Sequence, residues 1–232
     1  MALDPRLAEK RRAAEAAVAK ISSGMVVGLG TGSTAALAVE AIGRRVREEG
    51  LKILGIPTSE RTATQAKGLG IPLVDLGTHP RIDLTIDGAD AVARGTLHLI
   101  KGLGGALLRE KIVAAASSQM IVMVDKSKLD PAFGSLCPVP VEIIRFGWQA
   151  TARPVSALGT EPALRLGGDG EPYVTDGGNL ILDCRFGAIA DPAGLATALK
   201  QITGVVETGL FVGLATEVIV ASTQGIEVLT RA

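Results

Sequence analysis

Apolar and polar positions follow two rhythms along this chain. Leu7, Ala14, Val18 and Ile21 share one face at helical spacing, behind an Asp4-Pro5 pair that supplies an N-cap and a proline at the first helical position. Ser22-Ser23-Gly24 ends that helix. Residues 25–29 form a short continuous apolar run, read as a buried strand, and Leu37, Val39, Ile42 and Val46 restore helical spacing over 35–48. The alternation repeats: strand over 52–56, helix over 59–69, a short strand at 73–74, and a strand over 82–87. A helix over 105–117 and a strand over 120–124 follow. Strands alternating with helices predict a mostly parallel sheet covered on both faces, with right-handed crossovers.

Past Pro131 the rhythm breaks. Pro138, Pro140, Pro154 and Pro162 punctuate shorter segments; residues 167–170 read as a turn, 179–184 as a strand, and 191–202 as a helix opened by Asp191-Pro192. Residues 134–211 are expected to form a smaller α+β domain. Residues 1–133 and 212–232 would make the larger α/β domain, with strands at 217–221 and 226–229 rejoining the first sheet.

Composition removes several function classes. The mean hydropathy of +0.35 invites a membrane reading. Yet the longest apolar runs, such as 120–124, fall far short of the ~20 residues of a spanning helix. No apolar stretch follows Lys10-Arg11-Arg12, so no signal peptide is expected. Lys+Arg and Asp+Glu number 24 each and aromatics make up 3%, which gives no footprint for nucleic acid. Cys137 and Cys184 read as reduced thiols of a cytoplasmic protein. His79 and His98 form neither HxH nor HExxH, so no metal site is expected.

Four segments carry candidate chemistry. Gly28-Leu29-Gly30-Thr31-Gly32-Ser33-Thr34 lies between a strand and a helix. Glycines let backbone approach an anion, the helix start offers free N–H groups, and Thr31, Ser33 and Thr34 add hydroxyls. It is not the dinucleotide fingerprint, since the third glycine falls on Ser33, and no Gly-Lys-Ser/Thr makes it a P-loop. Asp87-Gly88-Ala89-Asp90 ends the 82–87 strand, where ligands of open α/β sheets bind. Two carboxylates there repel, and one can hold its proton near neutral pH. Asp83, near that strand's other end, reads as structural. Lys101-Gly102-Leu103-Gly104 then leads into a helix expected to be buried nearly all round, with Glu110 between Val113 and Ala114. Desolvation there raises a carboxylate's pKa toward a general-base range. Last, Asp125-Lys126-Ser127-Lys128 follows the 120–124 strand, and spacing does not choose which lysine faces the pocket.

Taken together, GTGST, DGAD, the KGxGxAxxREK run and the DxSK turn resemble the type A ribose-5-phosphate isomerase family. So do residues 138–142, 175–179 and 204–211. The resemblance implies a Rossmann-like domain with a smaller ferredoxin-like one, a homodimer or homotetramer, and catalysis without metal or redox cofactor. It implies substrate binding by Thr31, Gly32, Ser33, Thr34, Asp87, Gly88, Ala89, Asp90, Lys101, Gly102, Leu103, Gly104 and Lys128, with Lys10 as a weaker match at the phosphate. Glu110 would be the proton acceptor. Lys101 would steady the oxyanion, and Asp87 or Asp90 would move protons between the sugar oxygens. The sequence departs from the family pattern at Ala91, often Glu, and at Leu103, often Gly. Two rival readings keep only part of the pattern: a sugar-phosphate sensor needs no base, and a nicotinamide-dependent dehydrogenase rests on the glycine turn alone.

Overall fold

A computed structural model describes residues 5–231. Asp4, the expected N-cap, lies outside them. Its elements are α1 (Pro5–Val18), β1 (Val26–Leu29), α2 (Ser33–Glu48), β2 (Leu54–Pro57), α3 (Glu60–Gly68) and β3 (Ile82–Gly88). Then come β4 (Ala91–Val92), β5 (Leu99–Ile100), α4 (Leu107–Ala115), β6 (Ser117–Asp125), β7 (Val139–Ile143) and α5 (Trp148–Ser156). The chain ends with β8 (Pro162–Leu164), β9 (Leu180–Cys184), α6 (Pro192–Lys200), β10 (Val205–Thr208), β11 (Leu210–Phe211), β12 (Glu217–Ser222) and β13 (Gly225–Thr230).

The largest sheet has six strands in the order β13-β12-β6-β3-β1-β2. All neighbours are parallel except the β12–β13 hairpin. Both faces are covered, and this explains the uninterrupted apolar run of β6. Ile121 and Met123 pack with α1 and α2 through Ala14, Val18 and Ile42, whereas Met120, Val122 and Val124 pack with Ala114, Phe211 and Val218. Small Ala13, Ala14 and Ala17, all fully buried, let α1 lie close against the sheet.

Two further sheets stand apart. One is antiparallel, four-stranded and ordered β10-β7-β9-β8, with α5 and α6 packed through Val155 and Leu199. The other joins β11, β5 and β4 and ties the chain after β10 back to the DGAD segment.

Several expectations are corrected. The segment 73–74 is a single bridge, Gly55 to Leu73. Leu7 is exposed, and Ile21 is buried beyond the end of α1. Helix α4 is shorter than 105–117: Gly105 sits at φ 81°, and Ser117 already pairs with Ile82. Nor is α4 buried all round, for Ile112 is 48% exposed. Helix α5 was hidden by Pro154, which the last turn tolerates. Among the described residues no helix is long and apolar enough to cross a membrane, and both cysteines are free and buried.

Candidate active site

Because β6, β3 and β1 are adjacent and parallel, their carboxyl ends meet at one edge, and the segments that follow them line one open cleft of about 540 Å³. A larger groove at the opposite end of the strands, around Met25, Val46, Leu51, Leu54 and Pro72, is apolar and has no carboxylate. Lys52 is the one ionisable side chain in its lining, with no carboxylate to partner it in acid–base work.

One wall is the glycine turn. A Cβ on Gly30 would lie 2.2 Å from Asp87 Oδ1, so only glycine lets the chain pass this carboxylate. The Thr31 N–H donates to Asp87 Oδ1 at 3.1 Å. The Thr31 hydroxyl is buried among Thr58, Ser59 and Thr62, 2.7, 2.8 and 3.0 Å away. No side chain caps the start of α2 at Gly32, so its first N–H groups remain available to an anion. Lys10 Nζ donates to Ser33 Oγ at 3.0 Å. Across the cleft, Asp125 receives the Ser127 N–H at 3.0 Å and caps the turn that brings Lys128 to the rim. Lys126 lines a different hollow beside Glu227, so the structure separates the two lysines that spacing left undecided.

At the floor lies a buried charge cluster. Lys101 is 2% exposed, and its ammonium is 2.9 Å from Asp87 Oδ2 and 3.2 Å from Glu110 Oε2. It also donates to the Gly88 carbonyl at 2.6 Å and sits 5.4 Å from the Phe211 ring centre. The two carboxylate oxygens facing it are buried and have no partner besides this ammonium. Glu110 is 3% exposed. Burial pushes its pKa up to about 8; Lys101 opposes this, and Asp87 adds to it. Asp87 is also raised, by burial first, against the pull of Lys101 and of the Gly88 and Thr31 N–H groups. Burial works to lower Lys101, but Asp87 and Glu110 together raise it above the ordinary lysine value.

The cleft thus gathers Lys10, Thr31 to Thr34, Gly88, Ala89, Asp90, Lys101, Gly102, Gly104, Glu110 and Lys128. Two of the expected residues stand apart from its lining. Asp87 is fully buried behind Lys101. Leu103 turns its side chain outward, 41% exposed, and contributes its N–H, which meets Asp90 Oδ2 at 2.9 Å. Sequence reasoning missed Val124, which lines the cleft as the last apolar residue of its strand, and the hydroxyls of Thr58, Ser59 and Thr62 beneath Thr31. Ser59 had a signal only as the N-cap of α3, which it is. Asp83 accepts the Val26 N–H at 2.7 Å, a structural role at the far end of β3.

The model of the ribose 5-phosphate isomerase A (phosphoriboisomerase A) family matches residues 54–225. The chain belongs to this family. The ribose-5-phosphate isomerase A of Gloeobacter violaceus is 61% identical over 221 residues, covering 95% of each chain. That of a Synechococcus species is 56% identical over 222 residues, covering 96% of each. Among solved structures, the family member from Methanocaldococcus jannaschii superposes with a TM-score of 0.93 at 41% identity, over 97% of this chain and 99% of that one. A D-ribose-5-phosphate isomerase in complex with phospho-erythronic acid gives a TM-score of 0.94 at 37% identity, with the same coverage. The family frame leaves no room for the dehydrogenase alternative.

Proposed function

We propose that this cleft interconverts D-ribose 5-phosphate and D-ribulose 5-phosphate, with Glu110 as the base. The chain is an aldose–ketose isomerase by family, of the non-oxidative pentose phosphate pathway, and the residue roles follow from the chemistry such a reaction needs. The observation that carries them is the buried Glu110 Oε2, whose one partner is the Lys101 ammonium.

The phosphate is held at the uncapped start of α2, by Ser33 and Thr34, with Lys10 and Lys128 supplying charge. Glu110 takes the proton from C2 of the open-chain aldose. The C2–H electron pair becomes the C1–C2 double bond as the C1=O π pair moves onto O1, which gives the cis-enediolate, and O1 then takes up a proton. Loss of the O2 proton and return of the Glu110 proton to C1 give the ketose. Lys101, itself 2% exposed at the floor of the cleft, stabilises the negative oxygen. Asp90 lines the cleft and is placed to carry the proton between O2 and O1. Asp87, sealed behind Lys101, orients that ammonium. The related isomerase in complex with phospho-erythronic acid supports the same reading, since a phosphorylated four-carbon sugar acid carries a planar carboxylate where the intermediate carries its enediolate. A homodimer or homotetramer in the cytoplasm, with residues 134–211 as the smaller domain, completes the proposal. Exposed Phe146 and the exposed Ile226 and Val228 on edge strand β13 support self-association.

The test is turnover of ribose 5-phosphate in EDTA by the wild type and by Glu110→Gln. A positioned base contributes ~10²–10⁴-fold, so the variant should lose that much in kcat while still binding the sugar phosphate. Near wild-type turnover by the variant sinks the assignment of the base. Binding without turnover in both proteins points instead to a sensor.

A further inference from the structure

The loop that carries Lys101 is gripped from the four-stranded sheet. Arg165 follows β8 and lines none of the cleft. Its Nη1 donates to the carbonyls of Gly102 at 2.8 Å and Leu103 at 3.2 Å. The guanidinium is not free to swing: Nε donates to Asp183 Oδ2 at 2.9 Å, and Nη2 pairs with Asp183 Oδ1. Such a two-pronged pair fixes the plane of the fork as well as its position. Its backbone is also held, with the Arg165 N–H on Ile181 O and its carbonyl receiving the Tyr173 N–H, both at 2.9 Å. The Arg165 side chain is 11% exposed.

The Gly102 carbonyl and the Leu103 N–H belong to the same planar peptide unit, and in a trans peptide they point in opposite directions. Arg165 holds the oxygen edge of that plane, and Asp90 accepts from its N–H edge at 2.9 Å. A continuous relay therefore runs from the Asp183 carboxylate through Arg165 and one rigid peptide to the Asp90 carboxylate in the cleft. We infer that Arg165, locked by Asp183, is a positioning residue for the isomerisation: it sets the Gly102–Leu103 peptide and, through it, the Asp90 carboxylate. The inference rests on the reading of Asp90 as the group that moves protons between the sugar oxygens. It gives the four-stranded sheet a part in catalysis without any contact to substrate.

A double-mutant cycle between Arg165→Ala and Asp90→Asn tests it, with kcat and KM for ribose 5-phosphate read separately. Misplacing a reacting group by about 1 Å can cost about 100-fold. Arg165→Ala should lower kcat by about 10- to 100-fold with a smaller change in KM. In the Asp90→Asn background the same substitution should change kcat by no more than about twofold, because groups that act as a unit are not additive. An unchanged kcat in Arg165→Ala, or an equal loss in both backgrounds, overturns the inference. If Arg165→Ala does not fold, Arg165→Lys replaces it in the cycle. One ammonium cannot serve the Asp183 fork and both carbonyls, so its kcat should also fall, again only where Asp90 is present. Wild-type kcat in Asp90→Asn alone refutes the role of Asp90 itself, a failure distinct from that of the relay.

Discussion

One ammonium serves two carboxylates at the floor of the cleft, and that imbalance governs how Glu110 behaves. Asp87 receives N–H donors from Thr31 and Gly88, whereas Glu110 Oε2 receives none. Burial raises both carboxyls, and Glu110, without those donors, is pushed up to about 8 and keeps its proton through neutral pH in the empty site. A base must be ionised to act, so kcat/KM should rise with pH and level off above about 8. A pH–rate profile that is flat from pH 6 to 9 contradicts this. Stability follows the opposite trend. The folded pKa of Glu110 lies above its unfolded value of 4.5, so its contribution is fully present below that value and is lost as pH rises through about 8. Glu110→Gln cannot ionise and leaves Lys101 paired with Asp87. Its melting temperature relative to the wild type should therefore climb between pH 5 and pH 9, which thermal unfolding at the two pH values checks.

At the scale of elements, the strand-to-helix turns decide the site. The turn after β1 passes so close to Asp87 that a single methyl group has no room. Gly30→Ala should push the Thr31–Thr34 segment off its anion-binding position and raise KM for ribose 5-phosphate at least tenfold. Overpacking of this kind also costs about 1–3 kcal/mol of stability, measurable by denaturant unfolding. These turns were legible in the sequence because each combines glycine, a hydroxyl or a carboxylate at the end of an apolar run. The same grammar located Asp87, Asp90, Lys101 and Glu110. It failed where an element is too short to show a period: β4, β5 and β11 have two residues each. It also failed at contacts made by distant residues, since nothing local in Leu164-Arg165-Leu166 announces that its cation reaches the lysine loop.

For the molecule as a whole, the six-stranded sheet is the stable frame and the cleft hangs on its edge. Strands β3 and β6 are central and buried on both faces, whereas β13 and β8 are edge strands with exposed positions. Native-state hydrogen exchange should accordingly be slowest in β3 and β6 and fastest in β13 and β8, with the 101–104 loop between them. Equal protection across all four strands would contradict that ordering. The parallel order was readable from alternating strands and helices, but how the second and third sheets attach was not, because it depends on pairings between residues from about 60 to more than a hundred positions apart. One such pairing reaches the reacting centre: the Lys101 N–H donates to Gly209 O at 2.9 Å, and the Gly209 N–H donates to Pro140 O at 2.7 Å. A chain leaving the ribosome exposes Lys101 and Glu110 long before residue 209 exists to seat them. The nascent protein thus carries a nearly complete set of reacting groups before the strands that frame them, β11 beside β5 and β12 beside β6, have been made.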